Sequence, residues 1–377
     1  MKNINKLSNI IKTTDGPFLT VIVPNPLTVS DLSKAKLKMK DVAMQAEEKL
    51  RHAYPTINVD DYMKQLRPYT DDPNQWDDVK SRACAIIVGP DRVTVEDLNH
   101  EVNQSSVTVS EHPNWLKLAQ NTVEQTHLIL ALNYDSYRLF QASSSHIEEL
   151  ELASDAPGTL PETLGTNELK GGQLNFNSYD GGVSFHGHNE KSQEVKNDQR
   201  NYYQAISTYL REHFPLEKTE VVLYALPQNA AVLREALNYD SAISELFEPS
   251  SPAKLSMNEI SERIATIIQD GIEANINQLH SDYERFTNLG QTTDDLSQLI
   301  DCARNGQIET LIICENTSSP GYLTRSELDT SSEFAKNNNL YNDLADMVIK
   351  DNGHIVVLPA DKMPIDSPIC AILRYPI

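Results

Sequence analysis

Short apolar runs, each too brief for a helix and each set beside a segment of helical periodicity, dominate what this chain can become. Residues 18–23 read Phe-Leu-Thr-Val-Ile-Val and are closed by Pro24 and Pro26; residues 84–88 read Cys-Ala-Ile-Ile-Val and are closed by Gly89 and Pro90. Runs of four to eight apolar residues bounded by chain breakers have the length and composition of buried strands. The same signature returns at 220–224, 308–314, 354–358 and 369–373. Ser30 or Asp31 is placed to cap a helix reaching about Ala53, whose Leu32, Ala35, Met39, Val42, Ala46 and Leu50 recur at three- and four-residue steps and build one core face. A second helix is predicted over 59–66, and residues 93–98 are expected to form a hairpin with the strand at 84–88.

The middle of the chain carries three strands in series at 127–133, 137–142 and 147–152, joined by turns at 133–136 and 143–145. A long segment without clear pattern, 153–197, follows. Residues 198–213 then read as a helix with Tyr202, Ala205, Ile206, Tyr209 and Leu210 on its inner face, ahead of the 220–224 strand and a helix over 228–237. Residues 248–252 (Glu-Pro-Ser-Ser-Pro) look like a linker, and Ser256 is placed to cap a long helix over 258–286. Twice thereafter a helix ends in Asn-Gly, at Asn305-Gly306 and Asn352-Gly353, and the chain turns straight into a strand; glycine is expected to supply the left-handed residue each time. Helices alternating with strands in this order cover mixed sheets. The expected fold is therefore three α/β domains, at 1–122, 123–247 and 253–377. The middle domain is a mixed sheet that starts with a three-strand meander and carries the long Gly-rich loop. The C-terminal domain is an α/β/α sandwich.

The formal net charge of −22 over 377 residues argues against generic nucleic-acid binding, yet it is unevenly spread. Residues 1–54 hold nine Lys or Arg against five Asp or Glu, a local excess of +4. Lys34, Lys36, Lys38 and Lys40 lie near the start of the first helix, placed either to meet phosphate or simply to solvate its outer faces. No run approaches the length of a membrane span, and the first twelve residues lack the apolar core of a signal peptide. Cys84, Cys302, Cys314 and Cys370 are widely spaced, form no Cys-x-x-Cys pair and read as buried reduced thiols suited to the cytoplasm.

Seven of the 14 glycines fall within 153–197, among them Gly171-Gly172-Gln173. Adjacent glycines let a backbone approach a partner closely, and the glutamine adds an amide donor and acceptor, a tip suited to a crowded polar site. His186 and His188 share the loop and read as polar contacts; with only Asp180, Glu190 and Glu194 as further ligand types, no metal is expected. Asp71-Asp72 and Asp77-Asp78 read as a solvated, turn-rich segment. No P-loop, Gly-x-Ser-x-Gly elbow or dinucleotide fingerprint occurs, and no cofactor is expected.

The Gly-Gly-Gln, set between a strand meander and a helix of the middle of three α/β domains, is accompanied by Leu128–Leu132, Arg138-Leu-Phe140 and Arg200-Asn-Tyr-Tyr203. Further on come Gly306-Gln-Ile-Glu-Thr-Leu-Ile-Ile313, Asn352-Gly-His-Ile-Val-Val-Leu358 and Ala371-Ile-Leu-Arg-Tyr375. In this order and spacing the chain resembles the class I peptide release factor of archaea and eukaryotes and its paralogue Pelota. It is more similar still to their bacterial relatives, the Balon-like ribosome hibernation factors. The resemblance implies a cytoplasmic monomer that occupies the A site of the 70S ribosome. Lys34, Lys36, Lys38 and Lys40 would face 16S rRNA of the decoding region. Lys170, Gly171, Gly172, Gln173, His186 and His188 would reach 23S rRNA at the peptidyl-transferase centre. The last domain would meet a translational GTPase such as elongation factor Tu. The motif's flanks carry a single lysine, Lys170, where the family is arginine-rich, and no Asn-Ile-Lys-Ser codon-reading motif is present. Arrest or protection of idle ribosomes is therefore the expected role. Peptidyl-tRNA hydrolysis through Gln173 and a non-ribosomal interaction role are the alternatives.

Overall fold

A computed structural model describes residues 16–24, 32–72, 83–98, 102, 104–119, 127–143, 147–165, 187–214, 216, 221–237 and 243–376. The chain forms two compact units, residues 1–125 together with 272–377, and residues 126–271.

The first unit opens with β1 (Phe18–Pro24), α1 (Leu32–Ala53), α2 (Val59–Asp71), β2 (Ala83–Val88), β3 (Val93–Leu98), β4 (Ser106–Ser110) and the short α3 (Trp115–Leu118). The four strands make an antiparallel sheet in the order β3-β2-β1-β4, with Val21 opposite Ile86 on one side and Val107 on the other. Central β1 is buried on both faces, which is why its sequence is apolar without alternation. Leu19, Val21 and Val23 meet Met39, Val42, Ala46 and Leu50 of α1 and Tyr62, Met63 and Leu66 of α2. Phe18 and Ile22 point the other way, into a second core. Two expectations change. Helix α2 runs on to Asp71, past Pro68, because Tyr69 and Thr70 still pack inward and the Asp72 N–H closes the last turn on the Pro68 carbonyl at 3.2 Å. Asp71 is thus helical rather than part of a turn. Strand β4 was not foreseen: as an edge strand with only two apolar residues, Val107 and Val109, it gives a weak alternating signal.

The second unit holds β5 (His127–Leu132), β6 (Tyr137–Ala142), β7 (Ile147–Glu149), α4 (Leu160–Leu164), α5 (Gly187–His213), β8 (Val221–Ala225), α6 (Pro227–Leu237), β9 (Ile243–Glu248) and the start of α7 (Met257–Thr287). The sheet order is β7-β6-β5-β8-β9; the β5–β6–β7 meander is antiparallel, while β8 runs parallel to β5 and β9 parallel to β8. Leu128, Leu130 and Leu132 join Tyr202, Ile206 and Leu210 of α5 and Leu233 and Leu237 of α6 in one core. On α7, a Cβ at Gly271 would lie 2.7 Å from Leu246 of β9, so the helix needs glycine to approach that strand. Within the expected loop 153–197, α4 forms and α5 begins at Gly187 rather than Asp198. The polar run 187–197 concealed that first stretch of helix. Strand β9 ends where a linker was expected to begin.

The first unit is completed by the remainder of α7, β10 (Thr292–Thr293), α8 (Leu296–Arg304), β11 (Ile308–Cys314), β12 (Tyr322–Leu323), β13 (Leu328–Asp329), α9 (Glu333–Asn337), α10 (Leu340–Lys350), β14 (His354–Leu358) and β15 (Ile369–Leu373). The sheet order is β10-β15-β11-β14. Leu279 and Tyr283 of α7 cover Ile312, Val356, Cys370 and Ile372 on one face. Helices α8 and α10 cover Leu311, Ile313, Ile355, Val357 and Ala371 on the other, which gives the expected α/β/α layering. All four cysteines are buried. The two Asn-Gly turns differ. Gly306 is left-handed at φ +65°, as expected, but at the second turn Asn352 takes that conformation at φ +60°. Gly353 is required there for space instead: an added Cβ would lie 2.6 Å from Val348 Cγ1 and 2.8 Å from the Ile308 carbonyl oxygen.

Residues Leu340 to Ile349 of α10 are buried all round, because the helix lies between its own sheet and the segment that carries α3. That position buries polar groups; most are partnered, while Asn342 Oδ1 has no hydrogen-bond partner among the described residues. Trp115 Nε1 donates to Asp346 Oδ1 at 3.0 Å, and Asn342 Nδ2 donates to the Pro113 carbonyl at 3.0 Å. Asp346 Oδ2 lies 2.9 Å from Lys350 Nζ and 3.4 Å from His112 Nδ1. Asp343 Oδ2 accepts from the Leu323 N–H at 2.9 Å and from Asn338 Nδ2 at 2.7 Å, yet burial pushes its pKa up to about 7.

Candidate functional site

The Gly-Gly-Gln loop departs from a braced stem. Helix α4 carries a capping box: the Glu162 carboxylate accepts from the Thr159 N–H at 2.7 Å and the Thr159 hydroxyl at 2.8 Å, and these bonds, the backbone one first, lower its pKa. Gly165, at φ +67°, ends the helix in the left-handed turn that glycine accommodates. Lys170, Gly171, Gly172, Gln173 and His186 lie outside the described residues, and of His188 only the backbone, in the first turn of α5, is described.

The far side of the stem is α5, and its tyrosines hold the approach to the loop. Tyr202 donates its hydroxyl to the Gly158 carbonyl at 2.8 Å, the Tyr209 hydroxyl accepts from the Ala153 N–H at 3.1 Å, and His213 Nε2 sits 2.9 Å from Asp155 Oδ2. Tyr202, Tyr209 and His213 follow one another at seven- and four-residue steps and so share one helix face. Tyr203 turns to the end of β5, donating to the Asn133 carbonyl at 2.8 Å and accepting from Gln199 Nε2 at 3.1 Å. Tyr202 and Tyr203 are fully buried. Burial raises both phenols, Tyr203 to about 12, so they stay protonated donors. Side chains of one long helix thereby satisfy backbone groups of a segment that has no ladder of its own.

The stem is acidic. Residues 147–165 contain Glu148, Glu149, Glu151, Asp155 and Glu162 and no Lys or Arg. Arg138, which opposes this stretch from β6, is already bound: it clasps Glu149 through Nε and Nη2 at 2.7 and 2.6 Å and lies 5.1 Å above the Phe140 ring. Arg200 meets Glu235 at 3.4 Å on an exposed surface, a pair worth little. A phosphate-rich partner approaching residues 147–165 would meet carboxylates.

In the first unit, the four lysines lie on α1 and all are exposed. Their two-residue spacing splits them. Lys34 and Lys38 flank one side of the buried Met39–Val42–Ala46–Leu50 stripe, and Lys36 and Lys40 flank the other. Between the two rows the outer face presents Leu37 and Met44, 62% and 70% exposed. Sequence reasoning expected the charge but not this apolar ridge, which the periodicity of the helix nonetheless contains.

Among the described residues no cluster of His, Cys, Asp or Glu could hold a metal ion, and no helix is long and apolar enough to cross a membrane.

Residues 125–270 match the family described as bacterial archaeo-eukaryotic release factor family 6, a span that coincides with the second unit. Over that unit the match agrees with the resemblance to bacterial relatives of the archaeal and eukaryotic release factor. Saccharomyces cerevisiae Dom34, described as a translation termination-like factor involved in RNA quality control and interacting with Hbs1, is similar at 13% identity and a TM-score of 0.42, covering 78% of this chain and 74% of its own. The archaeal termination factor aRF1 is similar at 11% identity and a TM-score of 0.25, over 99% of this chain and 98% of its own. Thermoplasma acidophilum Pelota is similar at 10% identity and a TM-score of 0.25, over 78% of this chain and 80% of its own. No curated protein matches the chain.

Proposed function

We propose that this protein is a cytoplasmic ribosome-binding factor that occupies the A site of the 70S ribosome, with its Gly-Gly-Gln loop directed at the peptidyl-transferase centre, and arrests or protects idle ribosomes. The observation that carries this reading is the release-factor family match over the unit that bears the loop. In this reading the chain keeps three functional regions, 1–122, 123–247 and 253–377. Lys34, Lys36, Lys38 and Lys40 meet rRNA of the decoding region. Lys170, Gly171, Gly172, Gln173, His186 and His188 form the loop contact, and the last region meets a translational GTPase, elongation factor Tu being the candidate. The carboxylates of residues 147–165 favour plugging over chemistry, since they would oppose developing negative charge on a reacting ester.

Pelleting with vacant 70S ribosomes tests the reading. The wild-type protein co-sediments at low salt, and the quadruple change of Lys34, Lys36, Lys38 and Lys40 to Glu releases it; wild-type protein left wholly in the supernatant overturns the proposal. Peptidyl-tRNA hydrolysis is the second reading, favoured by the intact tripeptide itself. Peptide release that Gln173→Ala abolishes would establish it, and release unaffected by that change would exclude it.

A further inference from the structure

The second unit contains a cleft of about 540 Å³. It opens beyond the carboxyl ends of β5 and β8. Asn133, Tyr134, Asp135 and Ser136 enter from the turn after β5, Gln228 and Asn229 from the start of α6, and Lys254 from the segment before α7. Parallel strands of α/β sheets place their ligand sites at this edge, and the volume is that of a small-ligand site.

The side chains define the chemistry. Amides dominate, and an amide is the neutral side chain that carries both a donor and an acceptor. Two are pinned: Gln199 Nε2, which also lines the cleft, donates to Asn229 Oδ1 at 3.0 Å and to the Tyr203 hydroxyl at 3.1 Å. Asn133 is held only loosely, donating to Ser136 Oγ at 3.4 Å and accepting from Ser251 Oγ at 3.5 Å, contacts that a better partner would displace. Charge is balanced, one carboxylate (Asp135) against one ammonium (Lys254), so the cleft is neither a cation cage nor a polyphosphate cradle. Tyr134 stands at the rim with 41% of its surface exposed. Lys254 takes φ +64°, a conformation uncommon outside glycine, in the turn before α7. A bound peptide would need apolar anchor pockets, and only Leu226 and Ala253 are apolar here.

We propose that this cleft binds a single unpaired nucleotide. The base edge is met by Asn133, Gln228 and Asp135, the base face by the Tyr134 ring, and one phosphate by Lys254. Asp135, an acceptor, receives a ring N–H or an exocyclic amine of the base. The nucleotide comes either free or as an unstacked residue of structured RNA. The site stands independently of the ribosome reading.

The test titrates full-length protein with AMP by calorimetry and with fluorescein-labelled five-residue oligo(A) and oligo(U) by anisotropy. Saturable binding of AMP assigns a free nucleotide; saturation by oligo(A) or oligo(U) without AMP assigns an RNA segment; either supports the proposal. Tyr134→Ala is expected to weaken binding roughly tenfold, as for the loss of one base–aromatic stack. Gln228→Ala and Lys254→Gly are each expected to weaken it several-fold with an unchanged circular dichroism spectrum, while the quadruple α1 lysine variant leaves AMP binding unaltered. No saturable binding of any of these probes, or binding that Tyr134→Ala and Gln228→Ala leave intact, overturns the proposal.

Discussion

Replacing Asp346 by alanine tests whether one buried carboxylate joins the first and last segments of the chain into one body. Its side chain is 4% exposed and faces three groups: Trp115 Nε1 at 3.0 Å, Lys350 Nζ at 2.9 Å and His112 Nδ1 at 3.4 Å. The indole bond is the decisive one. A hydrogen bond to a charged group contributes about 1.5–3 kcal/mol, and truncating the acceptor leaves the Trp115 N–H, on a side chain only 2% exposed, without a partner. The Lys350 pair adds little, since the lysine is more than a third exposed, about 0–1 kcal/mol. Against this runs the relief of a carboxylate's desolvation. The net expectation is a loss of about 2–3 kcal/mol. For a body of this size that is a fall of very roughly 4–12 °C in melting temperature.

The assay is urea denaturation followed by far-ultraviolet circular dichroism, run as a double-mutant cycle with Trp115→Phe. Phenylalanine keeps most of the buried ring and removes only the N–H. If the bond is the joint, the two changes are non-additive by about 1–2 kcal/mol, because the second finds the bond already gone. Additive losses, or a loss below about 0.5 kcal/mol for Asp346→Ala alone, would refute the reasoning and show that α10 is held by apolar packing without the indole bond.

Asp343 gives a pH prediction. Its folded pKa of about 7 stands above the ordinary 3.8, so the unfolded chain releases the proton first and this residue's contribution to stability falls as pH rises from about 4 to about 7. The stability difference between wild type and Asp343→Asn should shift in favour of the variant across that window, and a difference independent of pH would count against the assignment. Gly353→Ala should cost about 1–3 kcal/mol in denaturation, because the new methyl meets the Ile308 carbonyl at 2.8 Å, a backbone atom that cannot step aside.

What was legible in the sequence follows from how each element is buried. Strands β1, β2, β5, β8, β11, β14 and β15 are covered on both faces, so their apolar runs announce them whatever lies nearby. Strand β4 sits at an edge, and β9 takes its place through parallel pairing with β8, whose register shifts between Val221 and Leu223. Neither has a run of its own, and each is specified by its partner strand. The start of α5 was hidden because Gly187 to Asn197 offers almost no apolar residue to set a period. Asn352 replaces Gly353 as the left-handed residue because the glycine is consumed by a close approach that no local pattern encodes. The stem's bracing shows the same division. Tyr202 and Tyr209 could be placed on an inner face from spacing alone, but the carbonyl and amide they satisfy, at Gly158 and Ala153, lie 44 and 56 residues away. The cleft residues were missed for that reason: Asn133, Gln199, Gln228 and Lys254 come from four separate segments, and only the shared strand edge brings them together.

The same reasoning bears on how the basic helix is presented. Helix α1 packs on the inner face of the N-terminal sheet through Met39, Val42, Ala46 and Leu50, and the opposite face of that sheet shares a core with α8 and α10. The lysines are therefore fixed in orientation relative to the C-terminal sheet, although more than 200 residues of sequence intervene. The joint is made of polar groups, the Asp346–Trp115 and Asn342–Pro113 bonds, laid over apolar contacts. Apolar packing alone tolerates sliding, whereas two directional bonds at 3.0 Å fix one register of α10 against the segment before it. Breaking them would loosen the aim of the lysine rows without touching a lysine. The stem of the Gly-Gly-Gln loop, braced within its own unit by the α5 tyrosines, would keep its structure through that change.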